Sequence, residues 1–268
     1  MHSTAFIRDG LSLNIMEGAV GTPVIFQHGL CGSAAQTAEA VPDDPRFRLV
    51  TLECRGHGAS PPGDENRFSI NTFTDDLASL IEERKLAPCI VGGISMGAAI
   101  ATRVAVTRPD LVKALIIARP AWVTAAAPEN CSPNFEVGEL LSYFPPEEAK
   151  AAFLQNGTAR RLEHFAPDNL NSLIGFFSRE PIGITAALLM RIAEDGPGIT
   201  EAQLGTLRIP ALIIATDQDV IHPLSHAEQL HTLIPASILK PITSKSVDKA
   251  RYLSEFRSTL LTFLEDHA

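Results

Sequence analysis

The chain has 268 residues, of which 45% are hydrophobic and 20% charged. That length is near the upper size of one hydrophobic core, so one domain with an insertion and two small domains both fit. A net charge of −9 argues against nucleic acid or an anionic membrane as partner, leaving a small molecule as the expected ligand.

The opening stretch MHSTAFIRDG lacks the apolar core of a secretion signal, and no run approaches the roughly 18 apolar residues of a membrane span. A cytoplasmic protein is expected. PVIFQHG (23–29), RLVTLEC (48–54), PCIVGGI (88–94) and VKALIIA (112–118) read as strands. Between them, residues 71–86 place Phe73, Leu77, Leu80 and Ile81 on one helix face, and residues 96–110 supply the next helix. Residues 123–204 break the alternation: strand-like runs are few, prolines are frequent and apolar-periodic pieces recur, as in a helical insertion folded over a sheet edge. The alternation resumes with PALIIATD (210–217), a helix near 223–233, a strand near 237–243 and an amphipathic C-terminal helix. The order predicts an α/β protein with a mainly parallel sheet, its core formed by 1–122 and 205–268 and its cap by 123–204. Cys31, Cys54, Cys89 and Cys131 lack metal-ligand spacing and read as reduced thiols, so no metal or cofactor is expected. Homo-oligomerisation is left open.

GISMG (93–97) has the G-x-S-x-G spacing of a nucleophile elbow, a sharp strand-to-helix turn that lifts a serine out of the sheet. Here a strand precedes and a helix follows Ser95, the context the motif requires. Upstream, HGLCGS (28–33) follows a strand, and ECRGHGAS (53–60) follows another. Together these resemble the elbow, the His-Gly loop and the Asp-x-Arg-Gly-His-Gly-x-Ser turn of α/β-hydrolases, with Glu53 where Asp is usual. The resemblance covers nearly the whole chain and implies an α/β-hydrolase fold. It makes Ser95 the nucleophile and the amides of Leu30 and Met96 the oxyanion hole. His28 and His57 are read as loop braces, His28 also standing among the residues expected at the substrate side, and Arg55 is read as bracing its own turn.

The family order is Ser, acid, His. TDQDVIHP (216–223) places the acid at Asp219, with Asp217 as second choice. The histidine is expected after the next strand, in ILKPITSKSVDKARY (238–252), where there is none; Lys245 or Ser246 stands there instead. A lysine base must be neutral near pH 7, far below its free pKa of about 10.4, and a neighbouring carboxylate opposes that. The expectation is therefore an Asp219–Lys245 ion pair, with His222 a weaker candidate base because it would reach in from the wrong loop. Arg119, at the end of its strand, and Trp122 are expected to clamp a substrate carboxylate. The resulting reading is a hydrolase of a small polar, carboxylate-bearing ester, lactone or activated carbonyl compound with an atypical triad; the alternative is a non-catalytic binding protein that kept the fold.

Overall fold

A computed structural model describes all residues, 1–268. Eight strands form one sheet: β1 (His2–Arg8), β2 (Leu11–Glu17), β3 (Thr22–Gln27), β4 (Phe47–Leu52), β5 (Cys89–Ile94), β6 (Val112–Ala118), β7 (Ala211–Ala215) and β8 (Ser237–Pro241). Their spatial order is β1-β2-β4-β3-β5-β6-β7-β8. The β1–β2 and β2–β4 pairs are antiparallel and the rest parallel. The parallel strands are β-branched and aliphatic because both of their faces are covered. Along β7, Ala211, Ile213 and Ala215 enter one core while Leu212 and Ile214 enter the other, the period of two expected of a strand.

The larger core lies under α2 (Ile70–Glu83), α3 (Met96–Thr107) and α10 (Leu224–Leu233). Helix α2 starts where the Ser69 hydroxyl accepts from the Thr72 N–H at 3.0 Å, and its Phe73, Leu77, Leu80 and Ile81 are fully buried. The smaller core lies under α1 (Ala34–Ala40) and α11 (Lys249–His267). Helix α11 buries Tyr252, Phe256, Leu260, Phe263 and Leu264, a stripe at helical spacing in which each large side chain contributes about 1.5–3 kcal/mol.

Between β6 and β7 the chain forms α4 (Ser132–Tyr143), α5 (Pro146–Leu154), α6 (Gly157–Phe165), α7 (Pro167–Phe176), α8 (Ile182–Glu194) and the short α9 (Glu201–Leu204). Pro133, Pro146 and Pro167 lie in the first turn of their helices, where the missing N–H costs nothing, so these prolines open helices and do not break them. The α4–α8 layer has its own apolar core, including Val137, Phe153, Leu162, Leu173, Phe177 and Leu189, and covers the C-terminal edge of the sheet. No helix is long and apolar enough to cross a membrane.

Candidate active site

Ser95 occupies the turn between β5 and α3 with φ 58° and ψ −116°, a region that non-glycine residues enter only under constraint. The constraint is packing. A Cβ on Gly93 would sit 2.3 Å from the backbone of Gly97, and one on Gly97 would sit 2.3 Å from the Gln27 carbonyl oxygen. With no side chains at these positions, helix and strand approach closely enough to force the turn. The Ser95 N–H donates to Ala118 O at 3.0 Å, locking the turn to β6.

The Ser95 hydroxyl faces His222, with Oγ 2.8 Å from Nε2. On the other side of the ring, Nδ1 lies 2.9 Å from Asp219 Oδ1. An ionised carboxylate only accepts, so Nδ1 carries the proton and Nε2 presents its lone pair to the serine. Asp219 is 6% exposed and saturated with donors. Its Oδ1 also accepts from the His222 N–H at 3.0 Å and from Asn169 Nδ2 at 2.9 Å. Its Oδ2 accepts from Arg119 Nε at 2.8 Å and Nη2 at 2.6 Å. Burial pushes the Asp219 pKa up, but the Arg119 guanidinium and the contacts with His222 outweigh it and hold the carboxyl well below its usual range. Burial pushes His222 below its ordinary value; Asp219 pulls it up, and the charges of Arg119 and Lys245 push it down again, leaving it lowered.

The expected Asp219–Lys245 pair does not form. Arg119 takes the acid instead, because it leaves β6 directly beside the loop after β7, and Lys245 has its Nζ 5.2 Å from the Tyr252 ring centroid. Arg119 is thereby engaged by Asp219, with Asp168 a further 3.9 Å contact, and is not a free clamp for a substrate carboxylate. Trp122 is also displaced from that role. It is 4% exposed, its indole N–H donates to Asp195 O at 2.9 Å, and it borders a small gap beside α3, away from the cavity at Ser95. His28 is fully buried: Nδ1 donates to Gly29 O at 2.8 Å and Nε2 accepts from the Cys54 N–H at 3.1 Å, so it braces the loop and does not face substrate. Ser246 Oγ is buried without a partner, and Asp217 accepts from Ser244 Oγ at 2.6 Å, so neither joins the Ser95 cluster. Arg55 reaches beyond its own turn, pairing with Asp76 at 2.7 Å and Asp9 at 2.6 Å.

Leu30 lies on the loop after β3 and lines the cavity with Ser95, and Met96 is the first residue of α3. The Met96 N–H starts a helix and has no intrahelical acceptor. The Leu30 loop is held on both flanks: the Gly29 N–H donates to Gln36 Oε1 at 2.7 Å and the Cys31 N–H to His57 Nε2 at 3.0 Å. His57 can accept because its Nδ1 donates to Arg55 O, and burial keeps the ring well below the ordinary histidine pKa and hence neutral. From the cap, Arg179 donates to Cys31 O and Gly56 O, both at 2.9 Å, fastening this loop to the helices above.

These elements enclose a cavity of about 290 Å³ lined by Leu30, Ser95, Arg119, His222 and Lys245 from the core and by Asn134, Asn169, Leu173 and Phe176 from the cap. No group of three or more His, Cys, Asp or Glu side chains converges as a metal site would require.

Two residues the sequence reading left aside or ranked low define the arrangement. Asn169 went unnoticed, since nothing in a cap helix marks an inward amide. His222 carried a signal in its Asp-x-x-His spacing: a carboxylate in a turn accepts from the backbone N–H three residues on, which also brings that residue's ring to it.

The mouse sn-1-specific diacylglycerol lipase ABHD11 is 29% identical over 190 residues, which make up 69% of this chain and 56% of that protein, so this chain spans little more than half its length. Among solved structures, the enol-lactonase from Burkholderia xenovorans LB400 superposes with a TM-score of 0.71 at 19% identity, covering 96% of this chain and 98% of that one. The thermophilic esterase from Thermogutta terrifontis gives a TM-score of 0.71 at 20% identity over 100% of both chains. Residues 22–243 match the family described as the alpha/beta hydrolase fold, and the chain belongs to that family.

Proposed function

We propose that this protein is a serine hydrolase of small polar esters or lactones, in which Ser95 is the nucleophile, His222 the base and Asp219 the acid. The observation that carries this reading is the continuous relay from Ser95 Oγ to His222 Nε2 at 2.8 Å and from His222 Nδ1 to Asp219 Oδ1 at 2.9 Å. In the first step His222 Nε2 takes the hydroxyl proton while Oγ attacks the carbonyl carbon. The oxygen of the tetrahedral adduct gains its negative charge beside the Leu30 and Met96 amides. Collapse expels the alkoxide, which takes the proton from His222. Water, deprotonated by the same ring, then cleaves the acyl-enzyme and restores Ser95. At about 290 Å³ the cavity is close to the smallest of the roughly 300–1,000 Å³ of ligand pockets, which suits a small substrate.

The competing reading, a binding protein without catalysis, is separated by active-site labelling. A fluorophosphonate should modify Ser95 rapidly, as located by mass spectrometry, and His222→Ala should slow labelling by at least about 100-fold, the low end of general-base contributions. A wild-type protein that stays unlabelled for hours while folded would overturn the hydrolase reading.

A further inference from the structure

The cavity wall is cationic in an acidic protein. Its ionisable lining consists of Arg119, His222, Lys245 and the Cys31 thiol, which burial pushes up to about 12, and it includes no carboxylate. Over the whole chain Asp and Glu outnumber Lys and Arg by 31 to 22, so composition alone would favour an acidic wall. The charges are not equivalent. Arg119 is neutralised by Asp219, and His222 is held below its ordinary pKa. Lys245 has no direct counterion: no carboxylate oxygen lies within 4.0 Å of its Nζ, the Asp168 and Glu39 charges act on it only from farther away and those of Arg119 and Lys249 oppose them, and Nζ sits 5.2 Å from the Tyr252 ring centroid. A half-buried ammonium over an aromatic face is only partly compensated, and an anion entering the cavity would complete it.

We propose that Lys245 anchors a carboxylate carried by the substrate, so that the enzyme selects esters or lactones bearing a second, free acid group; this rests on the serine-hydrolase reading above. Lys245 lies on the loop after β8 while Ser95 lies at the end of β5, and both line the one cavity. With a carboxylate held at Lys245 and the scissile carbonyl at Ser95, both groups share one cavity of about 290 Å³, which suits a short connection between them. Two side-chain amides support the same end use. Gln36 lines the cavity with its Oε1 accepting from the Gly29 N–H, which leaves its Nε2 as a donor, and Asn134 lines the wall from the cap at 7% exposure. Neutral donors lining the same cavity as an unpaired cation suit a carboxylate, which accepts through two oxygens.

The test uses p-nitrophenyl hemiglutarate and the neutral, nearly isosteric p-nitrophenyl valerate, together with calorimetric titration of glutarate into Ser95→Ala. The wild type should prefer the hemiester in kcat/KM. Lys245→Met should reduce that preference about 10- to 100-fold, the equivalent of one charged hydrogen bond, and Lys245→Arg should retain most of it. Glutarate should bind Ser95→Ala and bind Ser95→Ala/Lys245→Met about 10- to 100-fold more weakly. Should Lys245→Met fail to fold by circular dichroism, Lys245→Gln serves in its place. A preference for valerate in the wild type, or an unchanged preference in a folded Lys245 variant, would overturn the anchor. The two readings fail separately: Lys245-dependent glutarate binding with neither ester hydrolysed sinks the hydrolase and keeps the anion site, whereas hydrolysis of both esters alike without glutarate binding does the reverse.

Discussion

His222 donates both its backbone N–H and its ring Nδ1–H to one oxygen, Oδ1 of Asp219, at 3.0 and 2.9 Å. In the proposed triad, acid and base are therefore one unit of one loop, and the loop after β8 does not supply the base. His222→Ala should lower kcat/KM for an activated ester by about 10²–10⁴-fold. Adding Lys245→His to that variant should not restore activity, because Asp219 stays engaged by Arg119 and Asn169 and Lys245 makes no ion pair with it. Stopped-flow or steady-state assays of the single and double variants check this. A double variant at wild-type rate would show that the loop after β8 can reach the acid.

Much of this was readable from the sequence, and the parts that were not share a cause. The parallel strands showed themselves because each is an apolar run closed by a turn, and the elbow because Gly93 and Gly97 are demanded by backbone contacts on either side of Ser95. The β1–β2 hairpin was passed over although it carries a local signal: Asp9 and Gly10 adopt φ 53° and 78°, the left-handed pair of a two-residue hairpin turn, and Phe6, Leu13 and Ile15 alternate inward. The partners of Asp219 were another matter. Whether an acid meets a lysine, an arginine or a cap asparagine depends on how the loops after β6, β7 and β8 cross above the sheet, and no spacing along the chain encodes that. The same holds for Trp122 and His28, whose positions beside the site are legible while the direction of each side chain, into the core, is not.

Arg119 helps to lower the pKa of the proposed base. In the proposed mechanism the neutral ring of His222 is the active form, and its pKa is lowered below the ordinary 6.5, first by burial and then by the Arg119 and Lys245 charges against the opposing pull of Asp219. The sign follows: kcat/KM rises with pH as the ring loses its proton, so the acid limb should have its midpoint below about 6.5 and the profile should be flat at neutral pH. Arg119→Met removes a cation that disfavours the imidazolium, so the limb should move to higher pH. The same change leaves a buried carboxylate without its counterion and should destabilise the fold by about 3–5 kcal/mol in urea denaturation. An acid limb that moves downward in the variant would contradict this account of the site's charge.

Asn169 makes the cap part of the relay. It is 2% exposed, donates to Asp219 Oδ1 at 2.9 Å, and accepts from the Val220 and Ile221 N–H groups at 2.8 and 3.2 Å. Asn169→Ala strips acceptors from both amides and should cost about 1–3 kcal/mol of stability, with kcat falling more than KM rises because the loop carrying His222 loses its register. Asn169→Asp keeps an acceptor for the amides but turns a donor into a second carboxylate beside Asp219. The added negative charge favours the imidazolium of His222, so the acid limb should move to higher pH and the activity loss should be larger at pH 5 than at pH 8. If Asn169→Asp matches the wild-type profile at both values, the cap does not govern the acid.

The elbow supplies the last and most local test. A methyl group at position 97 would meet Gln27 O at 2.3 Å and His28 O at 2.7 Å, both backbone atoms that no rotamer change can move aside. Gly97→Ala must therefore push α3 away from β3, and the displacement acts at the two ends of the reaction. Ser95, held at φ 58° by the close approach, relaxes from its position 2.8 Å from His222 Nε2, and the Met96 N–H turns away from the place where an oxyanion would form. Overpacking of this kind costs about 1–3 kcal/mol, which the core of this sheet can absorb, so the variant should remain folded by circular dichroism. Its fluorophosphonate labelling, by contrast, should drop by at least about 100-fold, the scale of losing one oxyanion donor. Labelling at the wild-type rate in a folded Gly97→Ala protein would mean that the strained turn is not what presents Ser95.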